Sequence, residues 1–285
     1  MKHLMSLMLV VLSLSVLAED EKPPSYFNKS NTQGLSRIED NSVLLEEAYN
    51  QERGVVQFIQ AMQWNKKSRT FDYSFANEIP ITDEKHQFSY TIPMSFNKND
   101  SHAQGIGDLS LEYRTQWVKR RDEVLAATKF SLLTPTGDVK QGLGNGRYGG
   151  KMNNAITSIL SDMFVAHWNF GMTYYPEAEN TTGGSNSSVS FNYGASLYYM
   201  HSESFNLFTE VYAADDEVVN DGNGRNVGST RQSTYIVSPG MRFAINNDGG
   251  SQLVPGISFP ITMGLNGAES DRGVILYLSF EDKYW

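Results

Sequence analysis

Cysteine is absent from the 285 residues, which excludes disulfides, thiolate chemistry and lipoprotein processing. A secreted chain of this kind must hold together by burial or by backbone hydrogen bonding alone. Long apolar runs are scarce as well. After residue 18 no stretch approaches the roughly 18 apolar residues that mark a membrane-spanning helix, and the mean hydropathy is negative. A helical membrane protein is therefore excluded. Positive charge is the third shortage: 23 Lys and Arg stand against 32 Asp and Glu, a formal net charge of −9. That balance argues against nucleic acid, whose phosphates call for clustered Lys and Arg.

What is present begins with a targeting pattern. Lys2 supplies a short positive region, residues 4–17 are unbroken apolar or hydroxyl side chains, and Val16-Leu17-Ala18 ends the run on a cleavable motif. The apolar run falls short of the roughly 20 residues that span a bilayer. Residues 1–18 read as a signal peptide cleaved after Ala18. Cleavage removes Lys2 and no acid, so the mature chain carries 22 basic and 32 acidic side chains, a net −10. Residues 19–53 form an N-terminal periplasmic segment and residues 54–285 a second unit. Within the first, residues 42–51 (SVLLEEAYNQ) read as one short helix. Ser42 is its N-cap, Glu46 and Glu47 follow, and Leu44, Leu45, Ala48 and Tyr49 form an apolar edge. A helix this short must dock on something.

From Val55 onward the period changes to two. Phe88, Tyr90, Ile92, Met94 and Phe96 share one face, while Gln87, Ser89, Thr91, Pro93 and Ser95 share the other; residues 108–117 repeat the pattern. About twelve such segments follow one another, at residues 55–64, 70–81, 87–96, 107–118, 124–134, 154–163, 168–175, 188–200, 205–213, 233–244, 252–263 and 273–281. Their connections alternate from the second onward. Residues 82–85, 119–123, 164–167, 201–204 and 246–250 make short turns. Residues 97–105, 135–151, 176–187, 214–232 and 264–272 make longer loops. Short periplasmic turns against long external loops are the pattern of an even-stranded transmembrane barrel with both termini in the periplasm. The fold expected is all-β: a transmembrane antiparallel up-and-down β-barrel of about twelve strands with a short N-terminal periplasmic helix. Pro80, Pro93, Pro239, Pro255 and Pro260 fall inside the strands so read, and each should mark a bulge, a kink or a strand end.

The segments at residues 45–56 (LEEAYNQERGVV), 87–93 (QFSYTIP), 105–113 (GIGDLSLEY), 132–138 (LLTPTGD), 167–176 (HWNFGMTYYP), 237–243 (VSPGMRF), 254–261 (VPGISFPI) and 276–281 (LYLSFE) are familiar together. Through them the chain from Ser42 to the C-terminus resembles a family of outer-membrane transporters. That family belongs to the broad barrel group named after an outer-membrane protein of the phenol meta-degradation pathway. The resemblance implies the barrel fold and an outer-membrane location in a Gram-negative cell. It carries no shared catalytic motif to transfer, and fold alone does not fix function.

Several motifs are weaker than they look. GNGRYG at residues 144–149 matches a dinucleotide fingerprint but sits in a glycine-dense loop of a β chain, not between a parallel strand and a helix. The oxygen-rich residues 215–226 lack the closing Glu of a calcium loop and read as a solvated external loop. Lys119-Arg120-Arg121 reads as a solvated basic turn. A lipid hydrolase would need Ser and His at the outer rim, but His86, His167 and His201 lie near periplasmic turns, and only His102 is external. No catalytic residue, metal site or cofactor is implied.

The inward register is the informative chemistry. It carries Asp72, Glu78, Asp108, Glu112, Glu210 and Glu281 against Arg114, Lys129 and Arg242. Lining a water path, this acid excess favours cations; cross-neutralised, it closes the lumen. The functional expectation is a passive channel or transporter for small solutes, with Asp72, Glu78, Asp108, Glu112, Arg114, Lys129, Glu210 and Arg242 lining it. The other reading is a largely closed structural or interaction barrel acting through its external loops or periplasmic segment. The partners implied are outer-membrane lipid, a small solute, and the barrel-assembly machinery through the C-terminal strand. Outward Trp64, Phe71, Trp117, Trp168 and Phe280 suit interfacial girdles. Trp285 falls in the register opposite to Val274, Leu276, Leu278 and Phe280, so either a bulge intervenes or the assembly signal ends at Phe280 with residues 281–285 trailing; the second reading is preferred.

Overall fold

Period-two alternation commits the chain to antiparallel strands, and the apolar outward set fixes their register, since a one-residue slip would turn every aromatic into the lumen. The computed structural model describes Ile38, Asp40 and residues 42–97, 104–120, 123–247 and 250–284. The expected signal peptide, His102 and the final Trp285 lie outside the described residues. Sixteen strands share one sheet. They are β1 (Val55–Asn65), β2 (Thr70–Pro80), β3 (His86–Asn97), β4 (Gln104–Ile106), β5 (Ser110–Arg120), β6 (Val124–Leu133), β7 (Gly149–Ile159), β8 (Phe164–Glu179), β9 (Gly184–Ser202), β10 (Phe205–Val219), β11 (Gly224–Arg225), β12 (Ser229–Phe243), β13 (Ile245–Asn246), β14 (Gln252–Ser258), β15 (Ile261–Leu265) and β16 (Asp271–Lys283). The short β4, β11 and β13 are side additions, and β14 and β15 share one stave interrupted at Phe259 and Pro260, so twelve staves make the wall. β1 and β16 pair antiparallel from Val55 with Lys283 to Asn65 with Gly273, which closes the cylinder.

The inside and outside are inverted relative to a soluble protein. Phe130, Trp168, Phe170, Leu197, Val211 and Leu276 face outward and exposed, whereas Arg114, Arg242, His167, Gln57, Gln87, Glu47 and Glu210 are among the most completely buried large side chains. Outward rings form cross-strand ladders, with Phe58 6.5 Å from Phe280 and Phe71 6.2 Å from Phe96. This face predicts a depth-dependent penalty. Val211→Arg, in mid-strand and outward, should destabilise the lipid-embedded barrel by about 2–4 kcal/mol in urea unfolding from vesicles. An unaltered midpoint would show that Val211 is not at the membrane's centre.

The prolines sit where the ladder does not need their missing N–H. Pro80 ends β2. At Pro93, β3 changes partner, leaving β5 after Thr91 and meeting β4 from Met94, and the Pro93 carbonyl accepts from Gly107 N at 2.8 Å. At Pro239, β12 passes from β15 to β14, and its carbonyl accepts from Phe259 N at 2.9 Å. Pro260 is the interruption of the eleventh stave itself. Pro255 lies just beyond the β12–β14 ladder, which ends at Gly256.

Three expectations are corrected. Residues 42–51 are not helical: no α-helix occurs among the described residues, and this segment is an irregular strap inside the barrel. Its apolar edge is real, but lumen side chains satisfy its backbone, so nothing requires intrahelical bonds. Residues 176–187 and 214–232 are mostly strand, because β8 and β10 run on to Glu179 and Val219 and β9 and β12 begin at Gly184 and Ser229. Tyr175, Ala178 and Val219 give these polar extensions a small core, and Arg231 bridges Asp215 at 3.2 Å. The wall is therefore taller on that side. The sixth stave starts at Gly149, five residues earlier than its weak alternation suggests; two leading glycines and the outward Asn154 hide it.

Candidate functional site

The strap enters and leaves at the short-turn end and crosses the lumen between. Ile38 packs with Ala244, Val254 and Tyr277, and Asp40 accepts from Tyr277 Oη at 2.8 Å and from Gln57. At the other end Gln51 N donates to Gln87 Oε1 at 2.9 Å. In between, barrel side chains hold the strap by its main chain. Val43 N and Leu44 N each donate to one carboxylate oxygen of Glu210, both at 3.0 Å. Asn169 forms a two-way clamp, accepting from Glu46 N at 2.9 Å and donating to Glu46 O at 2.7 Å. Ala48 N donates to Thr157 Oγ1 at 3.0 Å, and Gln116 Nε2 donates to Ala48 O at 2.5 Å. Arg114 donates to the carbonyls of Glu47 and Tyr49, and Arg242 to that of Ile38. Buried backbone groups need such partners, and here the wall supplies them from six staves.

Strap side chains add charge and packing. Glu47 Oε1 meets Arg242 Nη1 and Ser42 Oγ, both at 3.0 Å, with His167 Nε2 3.7 Å away. Full burial pushes the Glu47 carboxyl up from its ordinary value, against the pull of Arg242, Ser42 and Arg114. The Arg242 guanidinium also stacks over the Tyr198 ring, 4.4 Å from its centroid. Glu46 pairs with Lys129 and lies 3.9 Å from Arg114. Leu45 occupies the space over Gly194, where an added Cβ would collide with it. Ala48 joins Leu125, Ala127 and Ala155, while Val43 packs on Val165, Tyr198, Met200 and Phe208.

The eight residues read from the inward register divide into three groups. Arg114, Lys129, Glu210 and Arg242 bind the strap directly. Glu78 lies 3.9 Å from Arg114, and Glu112 accepts from Lys129 at 3.1 Å, Ser89 at 3.0 Å and Ser110 at 2.9 Å, so both buttress the first group. Asp72 and Asp108 lie apart, towards the long-loop end. Asp72 accepts from Ser95 and Asn65. Asp108 accepts from Gly137 N at 3.0 Å and Asn145 N at 2.8 Å, which pins the loop of residues 134–148, the first five residues of GNGRYG included, to the start of β5. Glu281 faces inward at the opposite end, level with Gln57.

Above the strap the lumen is not filled. A cavity of about 620 Å³ lies in the tall half of the wall, bordered by Thr173, Tyr175, Ser190, Asp216 and Gln232. One to two side-chain layers lower on the same staves, a chamber of about 140 Å³ is bordered by Lys151, Asn153, Asn169, Asn192, Tyr212 and Ile236, with Leu44 and Glu46 of the strap against it. No cluster of metal-ligating side chains occurs among the described residues.

The family model described as "Putative MetA-pathway of phenol degradation" matches residues 34–281. The chain belongs to that family. The phenol-degradation family barrel is similar in structure to an outer membrane channel from Pseudomonas putida F1, at 14% identity and a TM-score of 0.57 over 84% of this chain and 99% of that one. It is also similar to the NanC porin, at 7% identity and a TM-score of 0.50 over 78% of this chain and 98% of that one. No curated protein matches it. Its fold is the closed β-barrel of that outer membrane channel and that porin. The family match starts at residue 34, so it takes in the strap as well as the wall. The strap's partners Gln57, Gln87, Thr157 and Asn169, and the chamber's Lys151, Asn153 and Asn192, escape a reading confined to inward charges. Counting inward amides and hydroxyls would have found all but Lys151 and Asn153, which the late start read for the sixth stave left outside any strand.

Proposed function

We propose that this barrel is a passive outer-membrane channel for small solutes, closed at rest by its own strap. The observation that carries the reading is the fastening of residues 38–51 across the lumen by Glu210, Asn169, Thr157, Arg114 and Arg242, beneath a cavity that reaches the long-loop end. In this reading residues 1–18 are a cleaved signal peptide, the short turns and the N-terminal segment are periplasmic, and the long loops face outside. The eight inward residues act first as strap anchors and, once the strap leaves, as lining of the path. The barrel performs no covalent chemistry and needs no cofactor. Lipid surrounds it, and its C-terminal strand, with outward Phe280, is what the assembly machinery would grip.

Planar-bilayer recording of the refolded mature protein tests this. Small, infrequent steps are expected from the wild type, with long openings after the strap is unfastened. Permanent silence in unfastened variants that still show heat-modifiable migration would reject the channel. That result would favour the second reading, a closed interaction barrel, which the full burial of the Glu47–Arg242 pair supports.

A further inference from the structure

The chamber above the strap contains groups that the strap leaves unused. Asn153 is only 3% exposed, and its Nδ2 donates to Asn169 Oδ1 at 3.1 Å, yet its Oδ1 has no hydrogen-bond partner. A buried acceptor of this kind carries a desolvation cost until a donor reaches it. Lys151, on the same strand and face, makes no ion pair among the described residues. Every other inward cation does: Arg114 and Lys129 with Glu46, and Arg242 with Glu47. Tyr212 and Asn192 border the same space, with Leu44 as an apolar patch.

We propose that this chamber is a binding site for small zwitterions of the α-amino-acid class, the carboxylate meeting Lys151 and the ammonium donating to Asn153 Oδ1. A simple anion would answer Lys151 and leave the Asn153 acceptor bare. A simple cation would answer Asn153 and face the Lys151 ammonium. One molecule carrying both charges a few ångströms apart satisfies both. The volume agrees: a cavity of about 150 Å³ holds about six heavy atoms, and the chamber measures about 140 Å³. Leu44 and Ile236 leave a short apolar side chain somewhere to go. The approach from outside passes Asp216 and Asp221, which form no ion pair among the described residues and suit an ammonium group arriving first.

The proposal rests on the channel reading only in that solute arrives from the long-loop end. The test is calorimetric titration of the folded, detergent-solubilised full mature chain with alanine, propionate and ethylamine. Saturable alanine binding is expected, with propionate and ethylamine at least tenfold weaker. Lys151→Met and Asn153→Ala should each weaken alanine at least tenfold; Lys151→Gln replaces the first if it fails to fold. No saturable alanine binding by the wild type, equal binding of propionate, or wild-type affinity in folded variants would each overturn the site. Because binding is read without conductance, failure here leaves the channel standing, and a silent bilayer leaves the site standing.

Discussion

Arg242→Met should convert a barrel that conducts rarely into one that conducts for most of the recording. The substitution removes one partner of the Glu47–Arg242 pair, both members 1% exposed, and leaves a buried carboxylate without its counter-charge. Breaking such a pair costs about 3–5 kcal/mol, so the docked-to-undocked ratio of the strap should fall by roughly two to three and a half orders of magnitude. The cation that holds Ile38 O disappears as well. The barrel should survive, since its wall is closed by the β1–β16 ladder and not by the strap. The same logic gives a sharper check. Glu47→Met with Arg242→Met replaces the pair by apolar groups of similar size, a change that is often neutral, and should restore long closures. Raised conductance in the double variant equal to that of Arg242→Met would show that the pair is not what holds the strap.

The second large effect comes from a position with no side chain. Leu45 fills the space over Gly194, and a Cβ there would overlap it. Gly194→Leu should therefore expel the strap from its central seat, where overpacking alone costs about 1–3 kcal/mol and the lost Leu45 burial about as much again. Protease cleavage within residues 42–51 of the folded barrel should rise at least tenfold. Leu45→Ala in the same chain returns most of the missing volume and should bring cleavage back towards the wild-type rate. If the paired change does not compensate, the contact between these two residues is not what positions the strap.

Much of the wall was legible because lipid on one side and solvent or strap on the other impose strict alternation. Phe88 to Phe96 on β3 and Val274 to Phe280 on β16 face outward as their pattern implies. Legibility failed where that two-sided pressure lapses. The extensions of β8 to β12 beyond the apolar band are held by Arg231, Arg147 and their acids, and such polar ladders look like loop sequence. The strap failed for another reason. Its i, i+3, i+4 apolar spacing, Leu44, Leu45 and Ala48, fits a helix, but its backbone partners lie more than 100 residues away in Thr157, Asn169 and Glu210. No local window contains them. The inward charges were placeable by register alone; that four of them grip the strap depended on this distant pairing.

The grip on the main chain sets the rules by which the closing segment can be rewritten. A lock built on side-chain recognition would tie the identity of each residue in the thread to its keyhole. Here the wall reads mostly amide hydrogens and carbonyls, which nearly every residue supplies alike. Leu44 or Tyr49 can then change with little effect on closure, provided size allows. Proline is the forbidden letter: at 43, 44, 46, 48 or 51 it would delete a hydrogen that the wall is waiting to receive.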